Sequence, residues 1–226
     1  ARDSFVMPQF VTTMIEQNLL GKKTRSGFYK TDLTPDWQKV RKVIDPDTLA
    51  YTEYELATFP CLVDAKKAKS LPQKIQAVIY GDDKGAQFAW KAVAGNLIYA
   101  ANRIPEISDT IVEIDNAMKW GVNVEMGPFE TWDAIGLQKS VERMEKDGLA
   151  VPQNIKNMLA AGCTAFYKIE NGQRSYYDFA SQSYRKLAVN PNVVSLPALK
   201  STGKVVKENS SVSLIDLGND VFCLEL

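Results

Sequence analysis

The sequence contains no histidine among its 226 residues. Histidine is the commonest general base of enzymes and the commonest metal ligand of proteins. A histidine-dependent active site therefore cannot be complete within this chain. The carboxylates that lie on turns or helix ends show no ordered ligand spacing, so we predict no metal site; they are Glu53, Glu55, Asp82 and Asp83.

Net charge and long apolar runs are also lacking. The 27 basic residues equal the 27 acidic residues in number, so no long-range field attracts nucleic acid or an anionic membrane. No apolar stretch approaches the roughly 18 residues that would suggest a membrane span, and the first residues do not resemble a signal peptide. We therefore predict a soluble protein with no nucleic-acid partner and no membrane span.

Cysteine is scarce, and no CxxC pair occurs. Cys61, Cys163 and Cys223 are odd in number and widely spaced, which favours reduced thiols over a disulfide framework. Reduced thiols are typical of a cytosol-like compartment. The sequence therefore predicts a cytoplasmic location.

One segment of the sequence occurs twice. In copy one, Met7-Pro8-Gln9 leads to Gly27-Phe28-Tyr29-Lys30; in copy two, Val151-Pro152-Gln153 leads to Ala165-Phe166-Tyr167-Lys168. The Pro-Gln pairs are 144 positions apart and the Phe-Tyr-Lys triplets 138 apart, so copy two has six fewer residues between its landmarks. Duplication followed by drift predicts this pattern, with chance as the alternative for motifs this short. If the segment is duplicated, copy one continues upstream of Ala1.

Apolar residues at helical spacing dominate the middle of the chain. The longest pattern runs from about Ala86 to Ile104 and is stopped by Pro105. Ser108 is expected to cap the next helix, which Gly121 would end. Further helices with glycine or proline at their ends are predicted at 8–19, 71–80, 128–135, 137–147 and 152–159.

The remaining segments are not helical in pattern. Residues 31–52 hold two prolines and show no clear period, so we interpret them as a connector between the copies. Residues 175–179 are aromatic and extended, and a hairpin around Asn171-Gly172 is predicted. Beyond Asn192, short aliphatic runs separated by glycine turns predict strands at 193–194, 205–206, 212–217 and 221–226.

These patterns together predict a mainly α fold with a short β-strand segment at the C-terminal end. Four parts are expected: the end of a first helical repeat at 1–30, a connector at 31–70, a second helical repeat at 71–190, and a linker with the first strands of another domain at 191–226. Both ends of the chain are predicted to be truncated.

One stretch is dense in specific residue choices. It runs Asp115-Asn116-Ala117-Met118-Lys119-Trp120-Gly121 and, after five residues, Gly127-Pro128-Phe129-Glu130-Thr131-Trp132-Asp133-Ala134-Ile135-Gly136. Taken singly, each residue has a structural explanation. The glycines start and stop helices, Phe129 and Trp132 anchor a core, and Asp133 caps or bridges.

Taken together, these residues resemble the C-terminal domain of 3-hydroxyacyl-CoA dehydrogenases, a helical fold similar to the C-terminal domain of 6-phosphogluconate dehydrogenase. The Gly27-Phe28-Tyr29 landmark is similar to the end of the same domain, whereas copy two departs from it with Ala165 in place of the glycine. The resemblance covers residues 1–190. The positions to which we assign a structural role are Gly27, Phe28, Tyr29, Asp115, Gly121, Gly127, Pro128, Phe129, Asp133 and Gly136.

The resemblance implies NAD-dependent oxidation of a 3-hydroxyacyl-CoA to the 3-ketoacyl-CoA in fatty-acid β-oxidation. It also implies an upstream Rossmann domain with a Gly-rich loop for NAD, a catalytic His paired with a Glu, and a Ser that orients the substrate. No GxGxxG follows a strand in this sequence. Asn102-Arg103 is similar to a family Asn-Arg pair but lies at the end of its helix, so Asn102 receives no catalytic role. We predict neither catalytic nor cofactor-binding residues in this chain.

The run from Ser210 to Leu226 resembles the opening strands of an enoyl-CoA hydratase (crotonase) domain, as in fused fatty-acid oxidation enzymes. The implied partners are therefore an acyl-CoA substrate, the upstream Rossmann domain and a downstream hydratase domain. The second repeat would replace a dimer mate and shape the acyl-CoA cleft, and a homodimer is a further expectation. A small basic cluster is interpreted as a solvated helix face, with contact to a CoA phosphate as the alternative; it comprises Lys66, Lys67 and Lys69.

A helical interaction module without enzymatic activity is the alternative function. It would keep the family scaffold, and the absence of histidine and of a phosphate loop agrees with it. The two truncated ends favour the dehydrogenase, because they predict that the catalytic parts lie outside the chain. Tight binding of a partner peptide would reverse this order of preference.

Overall fold

The computed structural model describes residues 6–170, 173–188 and 193–226. It divides into unit one, up to Thr58, and unit two, Phe59–Leu226. Helices make up 42% of the structure and strands 21%, the latter in three small antiparallel sheets. The prediction of a mainly α fold with strands only near the C-terminal end is therefore wrong, because two of the three sheets precede residue 190. The fold is mixed α and β.

Unit one is a short helix followed by a three-stranded sheet. Helix α1 (Gln9–Glu16) leads through a 3₁₀ turn to β1 (Tyr29–Leu33), β2 (Lys39–Ile44) and β3 (Tyr51–Glu53), paired antiparallel in chain order. The residues that we interpreted as a connector thus form most of a sheet. The strand signal of β2 was missed because basic and apolar residues alternate only from Lys39 to Arg41, after which Lys42 and two consecutive apolar residues break the period of two.

Unit two begins with eight residues of helix and continues as a helical bundle. Its first two helices, α2 (Pro60–Lys67) and α3 (Leu71–Ile79), precede the long α4 (Lys84–Ala101). Four further helices follow: α5 (Ile111–Val122), α6 (Pro128–Ile135), α7 (Leu137–Lys146) and α8 (Gln153–Ala160). The core shared by these helices includes the fully buried Trp132, Leu97 and Ile155.

Two helix ends differ from the sequence prediction. The residue before α5 is Thr110, while the Ser108 hydroxyl accepts the Thr110 N–H at 3.3 Å and so forms a turn before the helix. Gly121 lies inside α5, and Asn123 takes the left-handed conformation (φ 61°) that ends it. Asparagine tolerates this conformation better than most residues, so it competes with glycine as a stop signal.

Two sheets complete unit two. Strands β4 (Tyr167–Glu170), β5 (Gln173–Asp178) and β6 (Ser183–Lys186) form an antiparallel meander, as the predicted hairpin requires. The turn predicted at Asn171-Gly172 lies outside the described residues. After helix α9 (Leu196–Ser201), which the sequence did not predict, come β7 (Val205–Glu208), β8 (Ser213–Gly218) and β9 (Val221–Glu225), close to the predicted strands. Val193 and Val194 are not in a strand.

Copies one and two fold alike. In each, a proline precedes a helix (α1 or α8) and a three-stranded antiparallel sheet follows it. The buried Met14 of α1 corresponds to the buried Met158 of α8. Their carbonyl oxygens accept the N–H of Leu19 at 2.8 Å and of Cys163 at 3.1 Å, five residues further along the chain.

The sheets of the two copies also share one register. The cross-strand pairs Tyr29↔Val43 and Ile44↔Tyr51 correspond to Tyr167↔Tyr176 and Tyr177↔Tyr184. In both copies a tyrosine of the third strand donates its hydroxyl proton to the carbonyl that precedes the Phe-Tyr pair, and the O···O distance is 2.5 Å in each. The repeat detected in the sequence is therefore a repeat of backbone geometry.

Candidate functional site: the aspartate cluster around helix α6

Asp115 caps helix α6 from a neighbouring helix. Its carboxylate, on α5, accepts the backbone N–H of Phe129 at 2.9 Å and of Glu130 at 3.2 Å. The N-cap residue itself is Gly127, which has no side chain for this purpose. Asp115 therefore replaces the missing cap, and its negative charge lies at the positive end of the helix dipole.

Gly127 is required by the closeness of Asp115. A Cβ atom at position 127 would lie 2.3 Å from Asp115 Oδ1 and 2.5 Å from Asp115 Cα. Both distances are far below van der Waals contact. The glycine of the Gly-Pro-Phe motif therefore allows α5 and the start of α6 to approach each other.

Asp133, near the other end of α6, connects this helix to β4. Its two carboxylate oxygens accept the N–H of Phe166 at 2.7 Å and of Tyr167 at 2.8 Å. The Tyr167 hydroxyl in turn donates to Asp115 at 2.7 Å. Asp133 thus binds the Phe166 and Tyr167 amides, and Asp115, 18 positions earlier in the sequence, binds the Tyr167 hydroxyl.

Aromatic packing joins the same elements. The Phe166 ring is fully buried, and its centroid lies 5.0 Å from that of Phe129 and 5.4 Å from that of Trp132. Edge-to-face and tilted contacts at these distances add stability beyond the burial of area. The Trp132 Nε1–H donates to the Ser140 hydroxyl at 2.7 Å, which satisfies the one polar atom of this indole.

Glu130 carries the charged outer part of the cluster. Its Oε1 atom lies 2.9 Å from Lys119 Nζ and 2.9 Å from an Arg174 guanidinium nitrogen. The Arg174 guanidinium also stacks on the Tyr167 ring, 4.3 Å from the centroid. These contacts connect α5, α6 and β5 through one carboxylate.

The electrostatics of the three carboxylates differ with burial. Burial raises the pKa of Asp115 and of Asp133 to about 6, against the hydrogen bonds that each accepts. Burial also raises the pKa of Glu130, but Lys119 and Arg174 more than offset this, so its pKa lies below the usual value. The pKa of the Tyr167 hydroxyl is raised by burial and by the adjacent Asp115.

A separate cleft of about 460 Å³ lies between α4 and α5. Its walls are mostly apolar, including Ile107, Ile114 and Met118. Arg103 lies at its edge, paired with Glu106 at 2.6 Å and stacked on the Tyr99 ring with 4.8 Å between guanidinium carbon and centroid. The cleft can hold an apolar group near a cation.

The residues selected from the sequence fall into two groups. Asp115, Gly127, Pro128, Phe129 and Asp133 meet in the cluster, and Gly136 ends α6 with φ 88°. Gly121 lies in α5 away from contact, and the Gly27-Phe28-Tyr29 landmark lies in unit one.

Four members of the cluster were not selected as site residues: Lys119, Glu130, Tyr167 and Arg174. The repeat offers a signal for two of them. Tyr167 belongs to the repeated Phe-Tyr-Lys triplet, and Arg174 corresponds to Arg41 in the shared sheet register. Lys119 and Glu130 belong to the motif, but charged residues near helix ends carry no distinctive pattern.

The cluster is suited to holding helices and strands together. Its carboxylates are occupied by backbone N–H groups, a tyrosine hydroxyl and two cations. Within residues 6–170, 173–188 and 193–226 no group of three or more carboxylate or cysteine ligands is placed to hold a metal ion. No helix in the described part of the chain is long and apolar enough to cross a membrane.

Comparison with known protein families identifies a match that includes the aspartate cluster. Residues 88–177 match the family described as 3-hydroxyacyl-CoA dehydrogenase, C-terminal domain. The match begins in α4 and ends in β5, so it contains the whole cluster. Residues 88–177 are therefore similar in sequence to the C-terminal domain of 3-hydroxyacyl-CoA dehydrogenases.

Three longer proteins are similar in sequence. A "Probable 3-hydroxyacyl-CoA dehydrogenase" of Bacillus subtilis (strain 168) is 42% identical over 224 residues, which are 99% of this chain and 28% of the relative. A "Putative fatty acid oxidation complex trifunctional enzyme" of Rickettsia felis is 25% identical over 126 residues, 56% of this chain and 16% of the relative. Its namesake from Rickettsia prowazekii is 29% identical over 119 residues, 52% of this chain and 15% of the relative.

The chain thus spans less than a third of the length of each of these relatives. No solved structure matches the chain. The predicted resemblance of the Asp115–Gly136 motif to this domain is confirmed, for residues 88–177.

Proposed function

We propose that this chain is part of an NAD-dependent 3-hydroxyacyl-CoA dehydrogenase of fatty-acid β-oxidation, located in the cytoplasm. The observation that carries the proposal is the match of residues 88–177 to the family's C-terminal domain, supported by 42% identity to the Bacillus relative along nearly the whole chain. The reaction converts a 3-hydroxyacyl-CoA and NAD⁺ to a 3-ketoacyl-CoA, NADH and a proton.

The role proposed for these residues is structural. The chain contains no histidine and no Gly-rich phosphate loop after a strand, so the base and the NAD site would lie in an upstream Rossmann domain. The aspartate cluster keeps α5, α6 and β4 in one arrangement. The apolar cleft between α4 and α5, with Arg103 at its edge, is the part of unit two best suited to line an acyl-CoA site.

Two finer parts of the proposal concern organisation. Copy one would be the end of a first dehydrogenase repeat, and residues 71–190 a second repeat that takes the place of a dimer mate. Residues 191–226 would begin a fused enoyl-CoA hydratase domain; the resemblance of the strands after Ser210 supports this. The names of the two Rickettsia relatives agree with a multifunctional parent.

Activity of the longer protein tests the proposal. We expect the protein encoded by the complete gene to reduce NAD⁺ in the presence of a 3-hydroxyacyl-CoA, followed by NADH absorbance. The 226-residue chain should show no activity and negligible NAD binding by calorimetry. A complete gene product without this activity would contradict the proposal, and tight binding of a partner peptide would then favour the interaction module.

A further inference from the structure

The face of unit one around Phe28 lacks the cover that its counterpart in unit two has. We call Phe28, Tyr29 and Arg41 the Phe28 face. Phe28 is 51% exposed and Tyr29 46% exposed. The corresponding Phe166 is fully buried against α6, and Tyr167 is partly buried beside it.

Two contacts between a cation and an aromatic ring occur on both faces. The Arg41 guanidinium stacks on the Tyr29 ring at 4.2 Å, as Arg174 does on Tyr167 at 4.3 Å. The lysine after each tyrosine repeats a second contact: Lys30 lies 4.7 Å from the Tyr51 ring centroid, and Lys168 lies 4.0 Å from that of Tyr184.

The polar groups of the Phe28 face lack the acceptors that α5 and α6 supply in copy two. Within the described residues, the amides of Phe28 and Tyr29 donate to no carboxylate, and Arg41 has no ion pair. In copy two, the corresponding groups bind Asp133, Asp115 and Glu130.

The positive charge around the Phe28 face favours an acidic binding partner. The Phe28 face lines a groove of about 840 Å³ whose other walls include Lys22, Arg25 and Lys30. None of the described residues that line this groove is acidic. A helix with carboxylates at the positions of Glu130 and Asp133 would place negative charge opposite this basic rim.

We propose that the Phe28 face is a docking surface for a helix of the α6 type, supplied by the polypeptide upstream of the described residues. The helix carries a Glu and an Asp three residues apart, with an aromatic residue between them that packs on Phe28. Its Asp accepts the two amides and its Glu pairs with Arg41. The inference rests on the longer parent of the proposed function but requires no catalytic activity.

The first test is the coding sequence upstream of this segment. It should encode a helix that begins with Gly-Pro and contains Glu-x-x-Asp. Asp133 and Phe166 are 33 positions apart, and copy one has six more residues in its loop, so the Asp of the upstream helix should lie 33 plus six, or about 39, positions before Phe28. A gene without such a helix overturns the proposal.

The second test is hydrogen exchange of the Phe28 and Tyr29 amides, measured by NMR. In the 226-residue chain they should exchange rapidly, whereas a protein extended upstream through the helix should protect them by about a hundredfold or more. The Phe166 and Tyr167 amides, protected in both proteins, are the internal reference. Unchanged exchange in the extended protein overturns the proposal even if that protein is an active dehydrogenase.

Variants identify the contacts. In the extended protein, Arg41→Gln should accelerate exchange of the two amides by about tenfold, because it removes the partner of the helix carboxylate. Lys39→Gln, on the same strand but outside the groove, is the matched control and should have no effect.

The 226-residue chain also distinguishes other occupants of the Phe28 face. Protection of its Phe28 and Tyr29 amides that increases with protein concentration would assign the face to a second copy of the chain. Protection of the same amides on addition of inorganic phosphate would assign the face to an anion site. Either result overturns the proposal.

Discussion

Asp115 and Asp133 are the residues on which the arrangement around α6 depends. Asp115 is buried and Asp133 is partly buried, and each carboxylate accepts backbone N–H groups from a different helix or strand. Loss of such an acceptor leaves buried donors unpaired, which is costly. The motif is therefore explained at the level of single residues by packing and hydrogen bonding.

Replacement of Gly127 tests the close approach of α5 and α6. We expect Gly127→Ala to lower the free energy of unfolding by about 3 kcal/mol, because the added Cβ overlaps Asp115. Gly121→Ala is the matched control: nothing lies within 4 Å of its Cβ position, and alanine favours the helix by roughly 0.5–1 kcal/mol. Urea unfolding followed by circular dichroism measures both. Equal effects of the two variants would contradict the steric explanation.

The buried carboxylates also predict a pH dependence of stability. Both pKa values are raised to about 6 from 3.8, so between these values the folded state binds more protons than the unfolded state. Raising the pH through this interval therefore destabilises the fold, by up to roughly 1.4 kcal/mol per pH unit for each carboxyl. Above pH 7 this contribution is constant.

Comparison with a variant isolates this contribution from that of other groups. Asp133→Asn removes one of the two titrations, so the difference in unfolding free energy between wild type and variant should change between pH 4 and 6. The exposed Glu113→Gln serves as the control and should differ from wild type by a constant amount. A pH-independent difference for Asp133→Asn would mean that its pKa is not raised.

At the scale of elements, the loops of the two copies explain where glycine is needed. In copy one, the extra residues form a 3₁₀ turn that brings Gly21 against Gly27; a Cβ at position 27 would lie 2.7 Å from Gly21 Cα. Copy two lacks this turn and has Ala165 at the corresponding place. The glycine at position 27 is therefore required by the longer loop of copy one, and the shorter loop of copy two accommodates an alanine.

This explanation predicts that exchange of glycine and alanine before the Phe-Tyr pair destabilises copy one but not copy two. Gly27→Ala should weaken unit one by about 2 kcal/mol, because two backbone segments must separate. Ala165→Gly, the reciprocal change, should alter stability by less than about 1 kcal/mol. Hydrogen exchange of the β1–β2 and β4–β5 amides reports on each copy separately. Similar losses of protection for both variants would show that the loop does not determine the glycine.

At the scale of the whole molecule, unit two has a core of its own. Its buried cluster extends from Ile79 to Tyr177, and no described residue before Phe59 belongs to it. Residues 54–58 between the units belong to no helix or strand and are exposed. Exposed segments of this kind are favoured sites of proteolysis.

Limited proteolysis tests the independence of this core. A glutamate-specific protease should cut after Glu55 before it cuts within the helices of unit two. The larger product, residues 56–226, should keep its helical circular dichroism and a cooperative thermal transition, because its core residues are all present. A product that unfolds without a transition would show that unit two depends on unit one. An intact chain treated with inactivated protease is the control.

Local pattern was sufficient for the helices from α3 to α8, for α1 and for the repeat. Pro128 and Gly136 mark both ends of α6, and apolar residues at helical spacing mark α4, because these signals act within one or two turns. The β8 and β9 strands were likewise predicted from their aliphatic runs and the turn at Gly218. The Asp-x-Ala-Met and Gly-Pro-Phe motifs were sufficient to recognise the domain.

Only the tertiary structure showed which residues meet. Asp115, Asp133 and Tyr167 are far apart in sequence, and their hydrogen bonds depend on how α5, α6 and β4 pack. The sheet of unit one was missed for a related reason: the strands of β1–β3 are short and half exposed, so the pairing between them, which no local pattern records, is what stabilises them. Sequence by itself determined the local elements and the family motif, because both depend on neighbouring residues. Tertiary structure decided the fold class and the cluster, because both depend on contacts between distant ones.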